Sequence, residues 1–119
     1  MQRFTDLKVW QRSHALTLEI YRLTATFPDV ERFGLTSQIR RAAASVPSNI
    51  AEGSKRATRK DYARFLNVAE GSAAELEYFM ILARDLGFIA EQRMNQVNGE
   101  IQEIARMLYR LRTKVAPAS

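Results

Sequence analysis

Apolar positions near the end of the chain recur with a helical period. Val97, Ile101, Ile104, Leu108, Leu111 and Val115 follow one another at intervals of four, three, four, three and four. That spacing is the seam of a long helix packed against other helices. It predicts a helix over about 91–114. The register runs on through Asn98-Gly99, a pair otherwise typical of hairpin turns, so the helix reads as continuous.

The rest of the chain repeats the theme. A first helix is predicted over about 6–25, capped by Asp6 or Thr5, with Pro28 just beyond its end. It carries two apolar stripes: Val9, Leu16, Ile20, Leu23 and Phe27, and nearly opposite them Leu7, Trp10, His14, Leu18, Tyr21 and Ala25. A surface helix needs one stripe only. Two stripes imply burial on both sides, either deep in a bundle or against another subunit. Residues 26–34 read as a loop with room for one helical turn.

A second helix is expected over about 36–52, with Leu35, Ile39, Ala42, Val46 and Ile50 inward and Gly53 as its stop. Pro47 removes a backbone donor inside it, which predicts a fixed kink rather than a hinge. The third helix, about 58–86, starts on a Thr58 cap with Asp61 three residues on, and ends at Gly87. Its inner stripe is Tyr62, Leu66, Ala69, Ala73, Leu76, Met80 and Ala83, and a second stripe holds Val68, Phe79, Leu82 and Leu86. No strand-like alternation competes. The expected fold is all-α, a single 1–119 domain built as an antiparallel up-down-up-down four-helix bundle.

Composition narrows the function classes. With 119 residues, 46% of them hydrophobic, the chain can bury a core unaided. It has no cysteine, which excludes disulfides, thiolate metal sites and a cysteine nucleophile. That usage and the absence of a signal-like segment or an 18-residue apolar run point to the cytoplasm and away from membranes.

Net charge is +5, and it is unevenly placed. Residues 53–64 carry +4, residues 104–119 carry another +4, and residues 65–103 carry −5. In an up-down bundle the link between the second and third helices and the end of the fourth lie at one end. The start of the first helix, with Arg3 and Lys8, lies there too. The candidate nucleic-acid-binding residues are therefore Lys55, Arg56, Arg59, Lys60, Arg64, Arg106, Arg110, Arg112 and Lys114. Such a basic pole holds phosphates without reading sequence. The plainer account is that Arg106, Arg110, Arg112 and Lys114 complement the dipole at a helix C-terminus. Lys55, Arg56, Arg59, Lys60 and Arg64 sit instead around a helix N-terminus, where cations are unfavourable and an anion would offset them. Tyr62, within this cluster, belongs to the inner stripe and reads as core rather than as a stacking platform.

No reaction is legible. The single His14 lies on an apolar stripe and reads as a partly buried structural residue. There is no Glu-x-x-His pair, phosphate loop or nucleophile elbow, so no catalytic residue, metal or cofactor is expected. Arg40 and Arg41 are expected to supply a structural ion pair with Glu75 or Glu77.

Several stretches resemble the four-helix-bundle proteins encoded in intervening sequences of bacterial 23S rRNA genes. They are Phe4-Thr5-Asp6-Leu7-Lys8-Val9-Trp10, Phe33-Gly34-Leu35-Thr36-Ser37-Gln38-Ile39-Arg40-Arg41-Ala42-Ala43 and, most specifically, Ser45-Val46-Pro47-Ser48-Asn49-Ile50-Ala51-Glu52-Gly53. Arg64-Phe65-Leu66, Ala69-Glu70-Gly71-Ser72 and Glu75-Leu76 continue the match in order. The resemblance implies a homopentameric ring. It also implies kinship with accessory proteins of diversity-generating retroelements, which bind nucleic acid and a reverse transcriptase. Two expectations follow: an oligomer that binds RNA or DNA through its basic pole, or an oligomeric adaptor for a protein partner.

Overall fold

Four helices account for most of the chain in the computed structural model, which describes residues 3–117. Met1, Gln2, Ala118 and Ser119 of the expected 1–119 domain lie outside the described residues. The helices are α1 (Lys8–Thr24), α2 (Leu35–Ser54), α3 (Arg59–Asp85) and α4 (Glu91–Val115), with short 3-10 turns at Phe4–Asp6 and Asp29–Glu31. They form a rod of 44 × 22 × 22 Å.

Side-chain bonds between neighbours give the order around the rod. Arg40 of α2 reaches Tyr21 and Thr24 of α1, Ser45 of α2 meets Ser72 of α3, Gln102 of α4 meets Glu77 of α3, and Arg12 of α1 meets Glu100 of α4. The helices thus follow one another around a square, with α1 diagonal to α3. This is the expected up-down bundle.

The inner stripes form the core as anticipated. Ile20, Ile39, Ile50, Leu66, Leu76, Met80 and Leu108 are fully buried, with Val97, Ile101 and Ile104 beside them. Burying each such side chain contributes about 1.5–3 kcal/mol, and that apolar burial holds the rod together. The second stripes are different. Leu7, Trp10, Phe79 and Leu82 are partly buried against the core, whereas Leu18, Tyr21, Val68 and Leu86 are each close to half exposed, so within one chain these faces are only partly covered. His14 is exposed and stacked on Trp10, 5.0 Å between ring centroids, which corrects its reading as a partly buried residue. From His14 to Ala25 its stripe faces out, while Leu7 and Trp10 pack on the core.

The helix ends show which local signals act. Thr58 Oγ1 accepts from the Asp61 amide at 3.1 Å, as its cap position requires. Gly87 takes φ +81°, and the amides of Gly87 and Phe88 donate back to Arg84 and Ala83. That is the left-handed closing turn only glycine makes without strain. Neither Thr5 nor Asp6 caps α1. Leu7 holds that position with no side-chain bond, because Thr5 and Asp6 are spent in the preceding 3-10 turn.

Gly53 does not stop α2 either. It lies buried inside the helix, and a Cβ there would come within 2.7 Å of Phe65 Cβ and 3.0 Å of Tyr62 Cδ1. Its role is to let α3 approach. α2 also runs uninterrupted through Pro47, so the ring does not break it. Proline leaves the carbonyl four residues back without its amide donor. Here that carbonyl belongs to Ala43, and Thr17 Oγ1 of α1 lies 3.2 Å from it, sharing its proton with Ser13 O at 2.8 Å.

One polar group in the core is poorly served. Asn98, 6% exposed, points Nδ2 at Met94 Sδ and Glu77 O, while its Oδ1 is buried without a partner among the described residues. An unsatisfied buried acceptor costs about 1–3 kcal/mol. Asn98→Leu is expected to raise unfolding free energy by about 1 kcal/mol in urea titration.

Candidate nucleic-acid interface

The antiparallel order brings the α2–α3 link, the C-terminus of α4 and the start of α1 to the same end. The gathering is looser than a single tip. Arg112 of α4 pairs with Glu70, ten residues into α3 from Lys60, which is about 15 Å along the helix. Arg106, six residues before Arg112 on α4, lies about 9 Å further still, so the cations are spread over about half of the rod.

Their partners divide them into groups. Arg112 is bonded to the Glu70 carboxylate and lies over the Tyr109 ring, so it fastens α4 to α3. The Glu70 hydrogen bond strengthens its hold on its proton. Arg106 and Arg110 both turn to Glu103, at 2.8 and 3.6 Å. The hydrogen bond from Arg106, with the nearby charges of Arg110 and Arg12, holds the Glu103 carboxyl below its usual range. Glu103 therefore stays ionised until acidic pH. The pairing is present at neutrality and is lost as pH falls through that lowered value. Glu103→Gln is expected to release both arginines and tighten binding of a short RNA by about two- to fivefold in fluorescence anisotropy at low salt.

Around the α2–α3 link, the guanidinium groups of Arg56 and Arg64 lie 4.5 and 4.6 Å from the centre of the Phe65 ring. Arg56 also meets Glu52 at 2.6 Å, and Arg64 meets Asp61 at 2.9 Å. These two are held in fixed planes, with part of each fork still open to solvent. Phe65 itself is buried beneath them.

Lys55, Arg59, Lys60 and Lys114 complete the set. All four are exposed and none has an acidic partner within 4 Å among the described residues. Arg3 and Lys8 of the α1 start are exposed too. Lys60 and Arg64 line a shallow groove of about 510 Å³ with Ala57, Thr58 and Asp61. Tyr62 is half-buried against the core, and that burial pushes its hydroxyl pKa up. It packs rather than stacks, as its stripe indicated.

Arg40 does not pair with Glu75 or Glu77. Its Nε donates to Thr24 Oγ1 at 2.8 Å and its Nη2 to Tyr21 O at 3.2 Å, with the guanidinium 4.6 Å from the Tyr21 ring centre. The expected intrachain ion pair is corrected, because Arg40 faces α1 while those glutamates sit on α3. Sequence reasoning missed a further feature at the opposite end. Val30 and Phe33 are each 88% exposed, and Phe33 lies beside Arg32, Arg40 and Arg41.

The fold and the one-ended charge define a small antiparallel four-helix bundle with a basic end and partly uncovered apolar flanks. Residues 5–110 match the family described as 23S rRNA-intervening sequence protein, and the chain belongs to that family. A solved structure with a similar fold is a protein of unknown function from the S23 ribosomal protein family of Bacteroides thetaiotaomicron VPI-5482. It has a TM-score of 0.82 and 25% identity, covering 88% of this chain and 95% of that one. No curated protein matches the chain. No helix among the described residues is long and apolar enough to cross a membrane.

Proposed function

We propose that this protein is a non-enzymatic, self-associating bundle that binds RNA or DNA through the phosphate backbone. The observation that carries the reading is the quartet Lys55, Arg59, Lys60 and Lys114, exposed at one end without acidic partners among the described residues. Two of them, Arg59 and Lys60, open α3, where a bound phosphate would relieve their repulsion from the helix dipole. Tyr109 is exposed on the same stretch of α4, but the Arg112 guanidinium lies over its ring, which favours phosphate contact over stacking on bases.

Self-association is supported by the partly uncovered stripes. Leu18 and Tyr21 on α1, and Val68 and Leu86 on α3, sit on different sides of the rod and do not match themselves. Unlike faces that join head to tail close into a ring when the rotation between copies closes, and membership of this family carries the expectation of five subunits. A ring places the basic ends in one circle and multiplies contacts with a polyanion.

The test is a mass measurement in solution, with and without a structured RNA. The expected result is an oligomer that gains the mass of the RNA at low salt. A monomer with no shift would overturn both halves of the proposal. A second reading, an oligomeric adaptor for a protein, is favoured by the exposed Val30 and Phe33 at the other end. It becomes the better account if the oligomer forms and binds no nucleic acid.

A further inference from the structure

Resting on the self-associating reading, we infer that Glu75 of one copy pairs with Arg40 of the next, and that this ion pair sets the register between copies. The two partly uncovered stripes adjoin at α2. The α1 stripe leans toward α2, since Tyr21 lies under the Arg40 guanidinium. The α3 stripe also leans toward α2, since Ser72 of α3 and Ser45 of α2 share a hydrogen bond of 2.7 Å. One side of the rod is therefore α1–α2, and the neighbouring side is α2–α3. Copies related by rotation alone, as in a closed ring, meet one side on the other at equal height.

The heights can be read from the bonds across each helix pair. Thr17 of α1 stands opposite Ala43 of α2, and Ser72 of α3 opposite Ser45. Counting along antiparallel helices, Trp10 falls at the level of Ile50 and Val68 at that of Asn49. Tyr21 falls at the level of Ile39 and Phe79 at that of Gln38, while Ala25 and Leu82 both fall at that of Leu35. Apolar residues thus meet apolar residues at these three levels. Glu75 lies seven residues after Val68 and four before Phe79, and so in line with the α3 stripe. It falls at the level of Ala42 and of Leu18, two residues or about 3 Å from Arg40.

Both groups are ready for such a contact. Glu75 is exposed in an otherwise largely apolar stripe and has no basic partner within 4 Å among the described residues. Arg40 is held by Thr24, Tyr21 O and the Tyr21 ring through Nε and Nη2, which leaves Nη1 free to donate. A guanidinium held in place loses little freedom on meeting a carboxylate. The carboxylate supplies specificity in a seam that apolar area alone would let slide.

Charge exchange with analytical ultracentrifugation tests the pair. Glu75→Arg and Arg40→Glu are each expected to weaken assembly at least about tenfold, and the double exchange to recover most of the loss. Glu75→Arg changes an exposed side chain, so its helicity should match wild type even if Arg40→Glu folds poorly. A wild-type oligomer undisturbed by Glu75→Arg overturns the pairing alone. So does recovery with Arg41→Glu in place of Arg40→Glu. A wild-type monomer at every concentration removes the self-associating reading and the pair together.

Discussion

Replacing Lys55, Arg59, Lys60 and Lys114 together by glutamate is expected to weaken RNA and DNA binding on the order of 100-fold or more at low salt. The four positions project into solvent without acidic partners among the described residues, so their whole charge is available to phosphate. The substitution should not unfold the protein. Glutamate at positions 59 and 60 would sit at the N-terminus of α3, where negative charge is stabilising by about 0.3–1 kcal/mol per group. Glutamate at positions 55 and 114 sits at the C-termini of α2 and α4, where it costs a similar amount. Circular dichroism should therefore show unchanged helicity and a melting point close to wild type, while gel shift shows binding lost. Reversing Arg112 instead would confuse the result, because Glu70 would lose its partner and two carboxylates would face each other between α3 and α4. Full binding by the fourfold variant would show that the basic end is merely solvated surface.

Gly53→Ala is expected to cost about 1–2 kcal/mol of stability, the net of two opposed effects. Alanine inside a helix gains about 1 kcal/mol over glycine. Against that, the new methyl would lie 2.7 Å from Phe65 Cβ and 3.0 Å from Tyr62 Cδ1. Phe65 Cβ is fixed to the α3 backbone and cannot swing away, so the whole helix start must move. Overpacking of that kind costs about 1–3 kcal/mol, and separation of the helices also strips packing from Phe65 and Tyr62. Thermal and urea unfolding both read the loss. A neutral or stabilised Gly53→Ala would mean that α2 and α3 do not approach this closely. The same substitution at Gly71 or Gly99, where a Cβ meets nothing within 4 Å, should be neutral or stabilising.

Helix number, helix extent and the inner faces were legible because a period of 3.6 is a strong signal over helices of this length. Thr58 and Gly87 were legible too, since each acts through its own backbone. Gly53 was misread as a stop because a glycine that ends a helix and one that admits a neighbour look alike in sequence. Only the proximity of Phe65 distinguishes them. His14 was misplaced for a related reason. Its stripe is apolar, but periodicity cannot say whether a stripe faces its own core or another molecule, and from His14 on this one faces out.

The basic residues show the same boundary. Their gathering at one end follows from topology alone, yet what each one touches depends on the stagger between helices. That stagger puts Glu70 beside Arg112 and leaves Lys114 unpaired among the described residues. Thr17 carried a usable clue. A proline always frees the carbonyl four residues earlier, so Pro47 called for a buried hydroxyl facing Ala43.

The central claim is that unpaired cations at one end of this bundle hold a nucleic acid by its phosphates. Its most direct test is the salt dependence of wild-type affinity for a fluorescent RNA hairpin and a DNA duplex. Four contacts, at roughly 0.9 counterions released per phosphate on a duplex, predict a log–log slope of about −3.5 or steeper, similar for both ligands. A flat dependence, or no binding down to about 20 mM salt, would contradict it.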